Sequence, residues 1–212
     1  MRRAGSRGSF LLCRANFGSG GADSEGRELI ASGLTERLYA AAARLCSISL
    51  PVVAAVHGPA IGGGLGLAMT ANMRVTCPEA RFSANFAALG IHQGFGLSVT
   101  LPEQLGPSRA AMVLLTARRF DGEEATRLGM ADLCVDAGEV RAASVALATE
   151  IAANAPLAVR SINRTLREGL AGRVRRATRL EAAEQGRLGR TADAAEGIRA
   201  VSERRSGQFT GR

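Results

Sequence analysis

The 212-residue sequence predicts an α/β fold with a helical C-terminal part. Three observations predict it. PVVAAV (51–56), apolar at consecutive positions, feeds a glycine-rich turn and then a helical stretch. Two short segments of near-alternating polarity, MRVTC and ARFSA, flank Pro78-Glu79. Beyond residue 100 helical patterns dominate to the C-terminus. The pattern divides the chain into an α/β core over 1–150 and a helical region over 151–212.

Each element has a local reason. The first two dozen residues are rich in Gly, Ser and Arg and read as loop. A helix is predicted over 27–46, with Leu34, Leu38, Ala41, Ala42 and Leu45 on one face. Ser49-Leu50-Pro51 stops it. PVVAAV suits a strand covered on both faces, GPAIGGG a turn, and GGLGLAMTAN (63–72) a helix ending at Asn72. LPEQLG and PSRAAMVLLTARR give two helices; Glu103 reads as a helix-start acid in the first, and Pro107 occupies the first turn of the second. Asp121 is the predicted N-cap of GEEATRLG. MADLCVD is a short strand, and GEVRAASVALATEIAANA a long helix that stops before Pro156. Two or three helices fill 156–204.

Composition narrows the function. Residues 151–212 carry 13 Arg against six acids, whereas residues 1–150 carry 14 against 13, so an anionic partner would meet the C-terminal helices. Nucleic-acid binding ranks last, because stacking aromatics are scarce and no reader motif occurs. The four cysteines are widely spaced, without a CxxC pair, and there are two His, so neither a metal site nor a disulfide framework is expected. A reduced, cytoplasmic setting fits this pattern. Residues 48–69 are interrupted by Pro51, His57, Gly58 and Pro59, so no membrane span is expected. The N-terminal apolar piece FLLC is shorter than a secretory core of about 7–15 residues.

HGPAIGGGLGLAM (57–69) holds five glycines, which weaken helices and strands and so need a reason. A buried strand leading through such a turn into a helix presents free backbone N–H groups to an anion. No GK[ST] follows, which excludes a phosphate loop, and Leu67 breaks the GxGxxG frame. The remaining reading is an oxyanion site, with N–H groups aimed at a thioester or ester carbonyl.

PVVAAVHGPAIGGGLGLAMTANMRVTCPEARFSANFAALGIHQGFG resembles the signature region of the enoyl-CoA hydratase/isomerase (crotonase) family. The resemblance runs on through LLTARRFDGEEATRLGMADLCV to ERRSGQFTGR and covers the chain from about residue 12. It implies a spiral of repeated ββα turns, with trailing helices that assemble a homotrimer or hexamer. It also implies an acyl-CoA substrate, with no cofactor or metal beyond the CoA thioester. Gly63, the middle glycine of the triplet, would be one oxyanion donor, and Ala15, in LLCRANF, the other. By the same resemblance Asn16, Phe17, Ile61, Gly62, Gly66, Asn85, Phe86, Leu89 and Gly94 would contact substrate.

Departures from the family pattern matter equally. Hydratases of the family carry two glutamates; Gly66 and Phe86 stand at those positions here. Acid–base groups of this kind contribute about 10²–10⁴-fold each, so ordinary hydration by a glutamate pair is not expected. His92, in LGIHQGFG, is the candidate catalytic acid–base group, whereas His57 reads as structural. Gly66 is expected either to permit helix packing or to open space beside the thioester, and Phe86 to line an acyl pocket. The first oxyanion loop begins almost at once, with Arg14 where the family has Gly. The opening strands are therefore expected to be missing and the start to be truncated or misassigned. The expected function is a lyase or isomerase of fatty-acid metabolism that acts on an acyl-CoA enolate. A weak or inactive acyl-CoA-binding paralogue is the alternative, and a nucleic-acid-binding protein the remote one.

Overall fold

A computed structural model of the chain describes residues 10–12 and 34–212. Among the described residues seven short strands form two sheets. The first runs in the order β1 (Phe10–Leu12), β2 (Val53–Val56), β4 (Met73–Thr76), β7 (Leu133–Cys134), all parallel. The second holds β3 (Pro59–Ile61), β5 (Arg81–Ser83) and β6 (Phe120–Asp121), with β3 parallel and β6 antiparallel to β5. Successive pairs β2–β3 and β4–β5 each place one strand in each sheet. The chain therefore winds as a spiral, and helices pack around it. They are α1 (Leu34–Cys46), α2 (Gly63–Met69), α3 (Leu97–Leu105), α4 (Pro107–Thr116), α5 (Gly122–Leu128), α6 (Val140–Ala152), α7 (Pro156–Leu166), α8 (Leu170–Leu188) and α9 (Ala192–Ser202).

β2 is buried at every position, as a strand covered on both faces must be. It sits at the centre of the main core with Val75, Phe82, Leu65, Leu101 and Val113. A second core joins α1 to α8 through Tyr39, Ala42, Ala43, Cys46, Phe95 and Val174. The buried face of α1 thus centres on Tyr39 and Ala43; Leu38, Ala41 and Leu45, predicted for that face, lie at its edges. The part of the predicted helix before residue 34 lies outside the described residues.

Several boundaries differ from expectation. Phe10–Leu12, read as loop, forms β1 because β2 offers it a parallel edge. GPAIGGG is not wholly turn; Pro59–Ile61 pairs with Arg81–Ser83. α2 ends at Met69, because Asn72 does not cap it: the Asn72 amide oxygen accepts from the Val52 N–H at 3.0 Å. α3 begins at Leu97, which leaves Pro102 and Glu103 inside it, and Glu103 pairs with Arg173 at 2.9 Å. Asp121 does cap α5, in a box with Glu124. Arg74 is buried between Asp132, at 2.9 Å, and the Ala71 carbonyl, at 3.0 Å. Among the described helices none alone is long and apolar enough to cross a membrane.

Candidate active site

The glycine turn joins β3 to α2. Gly62 has φ +57°, a left-handed value that glycine adopts without a Cβ penalty. Its N–H donates to the Ser83 carbonyl at 2.8 Å, which ties the end of β3 to β5. The Gly62 carbonyl in turn accepts from Gly66 N–H at 3.1 Å. The Gly63 N–H has no acceptor among the described residues, and nothing lies within 4 Å of where a Gly63 side chain would begin. On the Gly62 side the turn is walled. A Cβ there would sit 3.1 Å from Asn85 Oδ1 and 3.7 Å from Phe86 Cζ. Asn85 and Phe86 precede a 3-10 turn (Ala87–Leu89) that follows β5. None of Ser83, Asn85 and Phe86 ionises, so these walls contribute no charge.

One turn into α2 the environment changes. A Cβ on Gly66 would lie 2.5 Å from Phe95 Cβ and 3.1 Å from its ring. The space expected beside Gly66 is therefore filled by Phe95, and a side chain there requires Phe95 to move. Phe95 is itself held in the left-handed region, φ +60°, and meets Tyr39 edge to face with centroids 6.3 Å apart.

The loop that carries Phe95, IHQGFG, is pinned by α1 and α8. Tyr39 OH donates to Gln185 Oε1 at 2.7 Å, and Gln185 Nε2 donates to the His92 carbonyl at 2.7 Å. Gly94 lies directly beneath the Tyr39 hydroxyl, where any Cβ would collide. Burial pushes the Tyr39 phenol well above its ordinary value, so it stays a neutral donor. Glu181, fully buried, accepts from the N–H groups of Gly96 at 2.8 Å and Ser98 at 3.0 Å and so caps α3 from a distant helix. The His92 ring is half-buried, with Nδ1 2.8 Å from the Gln93 carbonyl. A carbonyl only accepts, so Nδ1 is the donor in this contact.

The structure brings Ile61, Gly62, Gly63, Asn85 and Phe86 together at one turn, and Gly66, Gly94 and His92 onto the neighbouring loop contact. Leu89 lies with α9 instead: a Cβ on Gly197 would be 2.5 Å from the Leu89 carbonyl carbon. Ala15, Asn16 and Phe17 lie outside the described residues. Sequence reasoning missed Phe95, Tyr39, Glu181 and Gln185. Glu181 and Gln185 carried one signal, an i, i+4 pair of uncharged-to-acidic residues on an arginine-rich helix.

A spiral of strand pairs shared between two sheets, with a glycine turn that offers free N–H groups, defines a crotonase-type fold. Solved structures agree. The chain superimposes on an enoyl-CoA hydratase/isomerase from Pseudoalteromonas atlantica with a TM-score of 0.71 and 28% identity, over 78% of this chain and 67% of that one. It is 33% identical to a Bacillus subtilis protein named probable enoyl-CoA hydratase, over 98% of this chain and 83% of that protein. A mitochondrial protein of Arabidopsis thaliana named probable enoyl-CoA hydratase 2 is 30% identical over 78% of this chain, which spans about half, 55%, of that relative's length. The Enoyl-CoA hydratase/isomerase family model matches residues 15–212, and the chain belongs to that family.

Proposed function

We propose that the chain binds an acyl-CoA thioester and stabilises its enolate, with the thioester oxygen accepting from the Gly63 N–H. The carrying observation is the glycine turn of a family member: the Gly62 N–H is tied to Ser83, while the next N–H is unclaimed by any described residue, and a side chain at Gly63 would meet nothing within 4 Å. In this reading Ala15, by the family resemblance, is the second donor and Asn16 and Phe17 are substrate contacts; all three lie outside the described residues. Asn85 and Phe86 wall the acyl side of the turn, Ile61 and Gly62 its entry. The CoA thioester is substrate, and no further cofactor or metal is part of this reading.

The acid–base group is non-standard, because Gly66 and Phe86 stand where hydratases of the family carry carboxylates. His92 takes that role, with Nε2 as the proton acceptor. The exposed Leu157, Ile162 and Leu166 of α7 support the homotrimer or hexamer that the family resemblance implies. A cytoplasmic lyase or isomerase is the complete reading.

A second reading, an acyl-CoA binder with little turnover, is favoured by one observation: Phe95 fills the place where a catalytic side chain at position 66 would stand. Calorimetric titration with a saturated acyl-CoA, with free CoA as control, tests the common part. The thioester should bind more tightly than CoA; equal binding, or none by folded protein, overturns the site. Turnover of a 2-enoyl-CoA separates the readings. His92→Ala should lower kcat by about 10²-fold or more, and unchanged turnover removes His92 from the mechanism.

A further inference from the structure

We infer that the groove between α1 and α8 is a binding site for a ligand bearing phosphate groups. The groove encloses about 560 Å³ and is lined by Tyr39, Ala40 and Arg44 from α1 and by Arg175, Thr178, Arg179 and Ala182 from α8. That volume lies within the range of small-molecule sites, about 300–1,000 Å³. On α8 the four lining residues fall at i, i+3, i+4 and i+7, a single helical face, so both arginines point into one space with Arg44 opposite. Among the described residues no acidic side chain lines it.

The arginines of the groove differ from their neighbours. Arg173 and Arg187, on other faces of α8, pair with Glu103 at 2.9 Å and Glu184 at 2.6 Å. Arg44, Arg175 and Arg179 have no carboxylate partner and donate no hydrogen bond among the described residues. Three guanidinium groups gathered without an anion repel one another, and an oxyanion between them relieves that repulsion. Their planar forks match phosphate bidentately. Tyr39 lines this groove and also holds Gln185 and the His92 loop, so the groove backs directly onto the candidate active site.

The inference stands apart from the thioester reading, because two sources carry the same chemistry: the phosphorylated nucleotide end of CoA and a free oligophosphate. The probes are inorganic pyrophosphate and adenosine 3′,5′-bisphosphate, titrated calorimetrically into the full chain at low salt. Both should bind, and Arg175→Gln/Arg179→Gln should weaken them about tenfold or more, with Arg44→Gln acting in the same direction. All three arginines are exposed, so the variants should melt as the parent does without ligand. Arg160→Gln/Arg164→Gln, on α7, should leave affinity unchanged. No binding, equal binding by the groove variants, or an equal loss in the α7 variant overturns the inference. Competition between an acyl-CoA and pyrophosphate assigns the groove to the nucleotide end of the substrate; simultaneous binding assigns it to a separate phosphate ligand.

Discussion

The glycine turn at 62–64 and the IHQGFG loop are neighbours built on opposite principles. At the turn, backbone capacity is left over: the Gly63 N–H has no described acceptor, and a side chain at Gly63 would meet nothing within 4 Å. On the loop, capacity is consumed. Glu181 takes the N–H groups of Gly96 and Ser98, Gln185 takes the Tyr39 hydroxyl and donates to the His92 carbonyl, and Phe95 fills the gap against Gly66. The Gly63 N–H is one of the first-turn helix donors that have no partner within the helix, and it is the donor assigned to the thioester oxygen in the proposed function. The closed loop packs through Phe95 against Gly66, one turn along the helix that the open turn begins, and the proposed oxyanion site requires such preorganisation.

The largest effect should come from breaking the closed half. Glu181→Ala removes a buried acceptor of two backbone N–H groups and leaves both donors unpaired. Unfolding in urea should show a loss of about 3 kcal/mol or more, while Glu181→Gln, which keeps one oxygen, should lose less. A loss below about 1 kcal/mol would mean that water replaces the carboxylate and that the loop is not clamped. The open half should respond in the other way. Gly63→Pro deletes the N–H at the first position of α2, where proline suits a helix start. Acyl-CoA turnover should fall by about 10²–10³-fold with little change in urea stability. Unaltered turnover would place the oxyanion donor elsewhere.

How much of this was legible depends on where the information lies. β2 and the strands at 73–76 and 81–83 were readable because their apolar patterns are local. β1 and β3 were not: each is three residues long and exists because a partner strand supplies its hydrogen bonds. The start of α3 was hidden for a related reason, since its cap is Glu181, more than eighty residues away. On α8 the buried stripe is Val174, Thr178, Glu181 and Gln185, at helical spacing but mostly polar. A search for apolar periodicity passes over such a stripe, although its side chains are satisfied and inside. The glycine turn itself was legible as a turn between a strand and a helix, because its composition is local, and part of that composition is conformational: Gly62 has φ +57°. Packing was one of two roles open for Gly66, but Phe95 as the partner was not legible, because it reaches Gly66 through space alone.

Gly66 therefore offers the sharpest test of the boundary between the two halves. Gly66→Ala places a Cβ 2.5 Å from Phe95 Cβ in the present backbone, and overpacking of this kind destabilises by about 1–3 kcal/mol. Phe95→Gly alone loses a buried ring, although it also releases a residue from φ +60°. In the Phe95→Gly background Gly66→Ala should cost less than about 0.5 kcal/mol, because the colliding atoms are gone. The double-mutant cycle, read by urea unfolding, should thus give a coupling of about 1 kcal/mol or more. Additive effects would show that α2 yields to the new side chain and that Phe95 is not its barrier. A strong coupling carries a consequence for chemistry as well. Gly66→Glu would then be tolerated only together with Phe95→Gly, and the aromatic at 95, as much as the glycine at 66, would keep a carboxylate out of this site.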